Sequence, residues 1–231
     1  MKNAILAIVL TCASVASIAQ EQATKLSPPY LVSGGHHYIV GVVWNGEAVK
    51  LLPAGLRITP ERTGGINLVS DAAYNYDMRP YQVGYIWIDV EGHDSADGSK
   101  ARYILKAGHT AAAPIKALWK GNGDIVPGDV RLEGGEVKRG TSTRNGKEWI
   151  AVTIKSSDEC QKVAGTLNYV VTAEEMIQIP WASMGCKAEP VSARLSLPEG
   201  ENGAGLQPDK LLFAVEAKDS RYALTLPVPM K

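Results

Sequence analysis

The chain has 231 residues, with 24 basic against 24 acidic groups, and 45% of it is hydrophobic. That is enough apolar material for a good core in one or two domains. The cancelled charge argues against a nucleic-acid backbone as partner, and the hydrophobic content argues against intrinsic disorder.

Residues 1–19 read as a secretory signal peptide. Lys2 gives the positive start, Ala4 to Ala16 the apolar run, and Ser17-Ile18-Ala19 the small residues of a cleavage site. A lipoprotein signal would need a small residue before Cys12, where Thr11 stands. The run is too short to span a bilayer, and no later stretch is long enough. Residues 20–231 then read as one exported domain, periplasmic or secreted, with no membrane segment left after cleavage. Of three cysteines, Cys160 and Cys186 remain. A disulfide between them is expected in an oxidising compartment. A zinc site is the weaker alternative, because no His pair accompanies them.

Most of the chain reads as strand. Tyr38 to Trp44 is a continuous β-branched and aromatic run. Gly46–Leu52, before Pro53, reads as a short helix. Gly84 to Val90 alternates, with Tyr85, Trp87 and Asp89 on one face and Ile86, Ile88 and Val90 on the other. Arg102–Lys106 is a further strand, and Thr110–Lys120 a second helix with Pro114 near its start. Gly134–Thr143 and Lys147–Lys155 form a hairpin around Asn145-Gly146, a pair suited to the positive φ of a type I′ turn. Leu167–Thr172, Val191–Leu197, Leu211–Lys218 and Tyr222–Leu226 complete the set. A single, mostly antiparallel domain closed into a barrel follows, because closure removes exposed edges.

Familiar chemical motifs are missing: no P-loop, no G-x-S-x-G elbow, no H-E-x-x-H and no dinucleotide fingerprint. His36-His37 is the one histidine pair, but neighbours on a strand face opposite sides, so no metal site is expected. Asp94 and Asp97 sit in a loop with the chemistry of a solvated turn rather than a calcium site. No cofactor is implied.

Several stretches in order resemble the acetoacetate decarboxylase-like family. Tyr38–Trp44 followed by Glu47 to Leu56 is similar to that family's first strand, short helix and L-L-P-x-x-L turn. Arg79-Pro80-Tyr81 leading into Gln82–Val90 is similar to its next strand. Tyr103 with Ala111–Trp119, then Gly140-Thr141, Gly146-Lys147 and Trp149–Ile154, resemble later blocks, and Leu167-Asn168-Tyr169 resembles its Asn-Tyr strand. The resemblance implies a mainly β, single-domain antiparallel β-barrel of the acetoacetate decarboxylase-like type, with one or two short helices and a central pocket.

The family's decarboxylases use a lysine pair after a proline to form a Schiff base, one lysine lowering the pKa of the other. Here that segment aligns with Val126-Pro127-Gly128-Asp129, so both lysines are gone. Lys116 and Lys120 are near in sequence but out of register. Where the family has a pocket Glu this chain has Val83, and where it has a first-strand Arg this chain has His37, or His36 if the register slips by one. Carried over by position, His37, Tyr81, Gln82, Asp129 and Tyr169 are the candidate ligand-binding groups, with Asp129 and His37 the candidate acid/base residues. An Asp129 carboxylate in the pocket would favour neutral or cationic ligands. The alternative is that Asp129 caps a turn after Gly128. The reading is an exported binder of a small organic molecule without Schiff-base decarboxylation. A lyase or isomerase acting on a keto compound, and a structural or interaction protein, remain as alternatives, and a homo-oligomer is compatible with all three.

Overall fold

In the computed structural model, residues 30–74, 80–111 and 124–230 are described. The predicted signal peptide and the helix expected over Thr110–Lys120, beyond Ala111, lie outside the described residues. Eleven strands run through the rest: β1 Tyr30–Trp44, β2 Thr63–Tyr74, β3 Tyr81–Val90, β4 Ala101–His109, β5 Asp124–Pro127, β6 Val130–Glu133, β7 Lys138–Arg144, β8 Lys147–Val170, β9 Glu175–Leu195, β10 Pro208–Leu224 and β11 Val228–Pro229.

All eleven belong to one sheet. Its order is β11-β9-β10-β1-β2-β3-β4-β8-β7-β6, with β5 beside β4. Strand β8 also pairs with β9, so the path from β9 through β10 and β1–β4 to β8 returns to its start. The sheet is mostly antiparallel, as expected from the sequence, but it is mixed, which corrects the antiparallel barrel that the resemblance implied. Strand β4 pairs in parallel with β5, and with β8 through Arg102 opposite Tyr169. A parallel neighbour needs a connection longer than a tight turn, and the sequence interval between His109 and Asp124 is long enough for one.

Side-chain alternation gives the sheet two different faces. Tyr38, Val40, Val42 and Trp44 of β1 are almost completely buried. They join Ile66 and Leu68 of β2, Ile86 and Ile88 of β3, and Trp149, Ile150, Val152 and Ile154 of β8 in one core. Each such side chain contributes about 1.5–3 kcal/mol by leaving water. The opposite face of the same strands carries His37, Asn67, Val69, Val83 and Tyr85, which border a cavity.

Local chemistry sets the ends. Asn45 accepts a hydrogen bond from the Glu47 amide and starts a single 3-10 segment, Gly46–Leu51, in place of the expected helix. At the β7–β8 hairpin, Asn145 and Gly146 have φ of 49° and 76°, the left-handed values that this pair was expected to supply.

Candidate functional site

Cross-strand register builds the cavity wall row by row. His37 lies opposite Val69, Val69 opposite Val83, and Val83 opposite His109. The next row is Ile39, Asn67, Tyr85 and Ala107. Asn67 is therefore one rung from His37 and directly across from Tyr85, and the polar side chains join up. His37 Nδ1 is 3.2 Å from Asn67 Oδ1, and Asn67 Nδ2 donates to the Tyr85 hydroxyl at 2.8 Å. The Tyr85 and Tyr169 hydroxyls are 2.8 Å apart. Tyr169 faces Arg102 across the parallel β4–β8 contact, and the Arg102 guanidinium lies 4.4 Å from the centre of the Trp87 ring. Asp89, across β3–β4 from Arg102, accepts the Trp87 indole N–H at 3.1 Å.

The direction of this network fixes protonation. Asn67 spends its amide N–H on Tyr85, so its carbonyl oxygen faces His37 and can only accept. His37 Nδ1 must carry the proton, leaving Nε2 as a bare lone pair. Burial is the main reason that the His37 pKa falls to about 4, with His36 lowering it further and the Asn67 bond opposing. The imidazole is thus neutral at physiological pH. Burial likewise pushes the Tyr85 phenol well above its ordinary range. His109 stacks on Tyr81 with ring centres 4.9 Å apart, and its Nδ1 accepts from the Ala111 amide at 2.8 Å. Burial holds His109 at about 4.

These groups line a cavity of about 1000 Å³. Its remaining wall is largely apolar, with Ile104, Ile125 and Ile179 among its members. Among the described residues, four buried side-chain atoms have no protein hydrogen-bond partner: His37 Nε2, Arg102 Nε, Trp181 Nε1 and Ser183 Oγ. All four residues line this cavity. An unsatisfied buried polar group costs about 1–3 kcal/mol, so it is notable that all four belong to residues of the same cavity lining.

The residues singled out by sequence divide in two. His37, Tyr81 and Tyr169 line the cavity. Gln82 and Asp129 do not, because both are used to hold neighbouring strands. Gln82 Oε1 accepts from the Val130 amide at 3.0 Å. Asp129 is exposed, and its carboxylate accepts from Thr143 Oγ1 at 2.7 Å while its amide donates to the same oxygen at 3.1 Å. Its carboxylate therefore does not face the cavity as the alignment implied. Gly128 beside it is packed so closely that a Cβ would overlap the Thr143 carbonyl and the Gly108 backbone. A buried lysine, Lys106, is committed elsewhere, 2.6 Å from Asp124 Oδ2 and 3.0 Å from Glu201 Oε1. Lys116 and Lys120 lie outside the described residues. No grouping of His, Cys, Asp and Glu that could hold a metal occurs among the described residues.

Cys160 and Cys186 are bonded, each opposite the other on β8 and β9, and Cys186 borders the cavity. Asn67, Arg102, Trp181 and Ser183 were not visible as site residues. The alternation that put Tyr85 on one face of its strand was a usable signal, since that face turns out to be the cavity face.

Solved structures share this architecture at low sequence identity. The enduracididine biosynthesis enzyme MppR, complexed with pyruvate, matches with a TM-score of 0.65 at 12% identity, over 91% of this chain and 93% of that one. Acetoacetate decarboxylase from Legionella pneumophila matches with a TM-score of 0.65 at 10% identity, over 96% and 98%. An acetoacetate decarboxylase-like enzyme from Sphingomonas wittichii RW1 gives 0.63 at 12% identity, over 91% and 96%. No protein-family model and no curated protein matches the sequence. The chain has the acetoacetate decarboxylase-like fold.

Proposed function

We propose that this chain is an exported β-barrel protein that binds a small organic acid reversibly in its central cavity, without Schiff-base decarboxylation. The observation that carries this reading is that four residues with an unpartnered, buried polar atom, from three different strands, all line one largely apolar cavity. The Arg102 guanidinium in that wall favours an anionic ligand, which replaces the preference for neutral or cationic ligands that Asp129 suggested. Two features support a mechanism without an iminium. Gly128 and Asp129 stand where the family has its lysines, and Gly128 has no room for a longer side chain. Export is supported by the leader-like residues 1–19 together with the disulfide.

A thermal-shift screen of keto acids, aromatic acids and sterols tests the reading. Carboxylates should raise the unfolding midpoint of the native protein and lose that effect in Arg102→Gln. A panel in which only uncharged sterols bind would overturn the acid assignment. A second reading, a lyase or isomerase acting on a keto compound, is favoured by the bare Nε2 of His37. A neutral imidazole beside hydrogen-bonding phenols is a workable general base. Exchange of an α-proton for deuterium in heavy water, lost in His37→Leu, would establish it.

A further inference from the structure

The unpartnered atoms do more than mark a site, because each has a hydrogen-bond sense. Arg102 Nε and Trp181 Nε1 can only donate, and His37 Nε2, with Nδ1 committed to Asn67, can only accept. Ser183 Oγ can do either. A ligand that satisfies them must offer acceptors to Arg102 and Trp181 and one donor to His37.

The spacing adds a shape. His37 and Arg102 are separated along the wall by Asn67, Tyr85 and Tyr169, so a molecule touching both is elongated. Beside this polar chain the lining is largely apolar, with Ile39, Val69 and Ile104 among its residues. A cavity of about 1000 Å³ is at the upper end of what encloses a drug-sized ligand, far more than a three- or four-carbon keto acid fills. Such a keto acid, once ionised, also has no donor for His37.

Resting on the ligand-binding reading above, we infer that the preferred ligand class is a hydroxy acid with an apolar body: a carboxylate at Arg102 and a hydroxyl donating to His37 Nε2. Discrimination by hydrogen-bond sense is strong in such a site, because the wrong ligand leaves a buried group unpaired.

Calorimetric titration of the intact, oxidised protein with para-hydroxyphenylpropanoate, its para-methoxy ether, unsubstituted phenylpropanoate and pyruvate tests this. The hydroxylated acid should bind at least ten-fold more tightly than the ether and the unsubstituted acid. In His37→Leu that preference should vanish while phenylpropanoate still binds; the wild-type series decides the question if the variant does not fold. Equal affinities for the three aromatic acids would overturn the donor–acceptor rule and leave the binding reading standing. Tight binding of pyruvate alone would also overturn the hydroxy-acid class. Binding of none of the four would remove both.

Discussion

Reduction of the Cys160–Cys186 bridge should destabilise the protein by an amount that can be worked out. The bridge closes 26 residues of chain, for which loop-closure entropy gives about 3.5 kcal/mol. At about 2–4 °C per kcal/mol for a domain of this size, the unfolding midpoint should fall by about 7–14 °C. The structure adds where the loss begins. From Ser157 to Lys162 the β8 segment is mostly exposed, and its register with β9 shifts between Ser156 and Cys160. With little core to hold that arm, the cross-link is its main constraint, and Cys186 is itself part of the cavity wall. Circular-dichroism melts of the oxidised protein and of Cys160→Ala/Cys186→Ala, with amide exchange read out by peptide, provide the assay. Protection should drop first around residues 156–163 and 183–189. A variant that melts within about 2 °C of the parent, well inside the range expected for such a loop, would refute this reasoning.

Glu216 is almost fully buried on β10, with Lys138 Nζ at 2.5 Å, Ser156 Oγ at 2.6 Å and His36 Nε2 at 2.9 Å. Burial alone would raise its carboxyl, but those partners hold it at about 2. Glu216→Gln should therefore cost about 2–3 kcal/mol in urea unfolding, since it leaves the largely covered Lys138 ammonium without its counter-charge. Acid should also destabilise in stages. His37 and His109 fall from 6.5 to about 4 on folding, so the unfolded chain binds more protons and stability declines as pH drops from about 6.5 to 4. Each histidine contributes up to about 3 kcal/mol to that decline, and Glu216 extends it from its unfolded value of 4.5 towards 2. Denaturant melts in steps from pH 7 to 4 check the slope, and a flat profile would contradict it. Incubation with acetoacetate or pyruvate and borohydride should leave the intact mass unchanged, whereas an adduct mapped to Lys116 or Lys120 would restore iminium chemistry. Gly128→Ala should lower the midpoint by several degrees, because its Cβ has no space beside Thr143.

Strand signals were legible where burial and alternation coincide, as in Tyr38–Trp44 and Gly84–Val90. They failed where the fold uses residues against their usual sense. Strand β2 went unread because Gly64 and Gly65 look like a turn. Their missing side chains make room for Trp44 and Trp87: a Cβ on Gly64 would strike the Trp44 indole, which donates to the Trp87 carbonyl at 2.8 Å. The polar stretch Ser156–Lys162 looks like a loop, yet it continues β8, because that part of the strand leaves the core and pairs as an exposed arm with β9. Leu211–Lys218 and Tyr222–Leu226 read as two strands. They merge in β10, with Asp219 at φ 49° absorbing a register shift between Lys218 and Arg221. The cavity was only partly legible for a related reason. His37, Tyr81 and Tyr169 could be placed by resemblance, but Arg102 and Asn67 acquire meaning only through pairing. Local sequence does not say that Arg102 faces Tyr169 or that Asn67 sits between His37 and Tyr85.

The most direct test is an equilibrium titration of the wild-type protein and of Arg102→Gln with phenylpropanoate, a simple acid with an apolar body. Loss of a charge-assisted bond worth about 1.5–3 kcal/mol corresponds to about ten-fold or more in affinity. The account predicts saturable one-to-one binding to the wild type, weakened at least that much in the folded variant. Binding of equal strength to both proteins would contradict it, because the ligand would then lie away from the cavity wall that Arg102 helps to form.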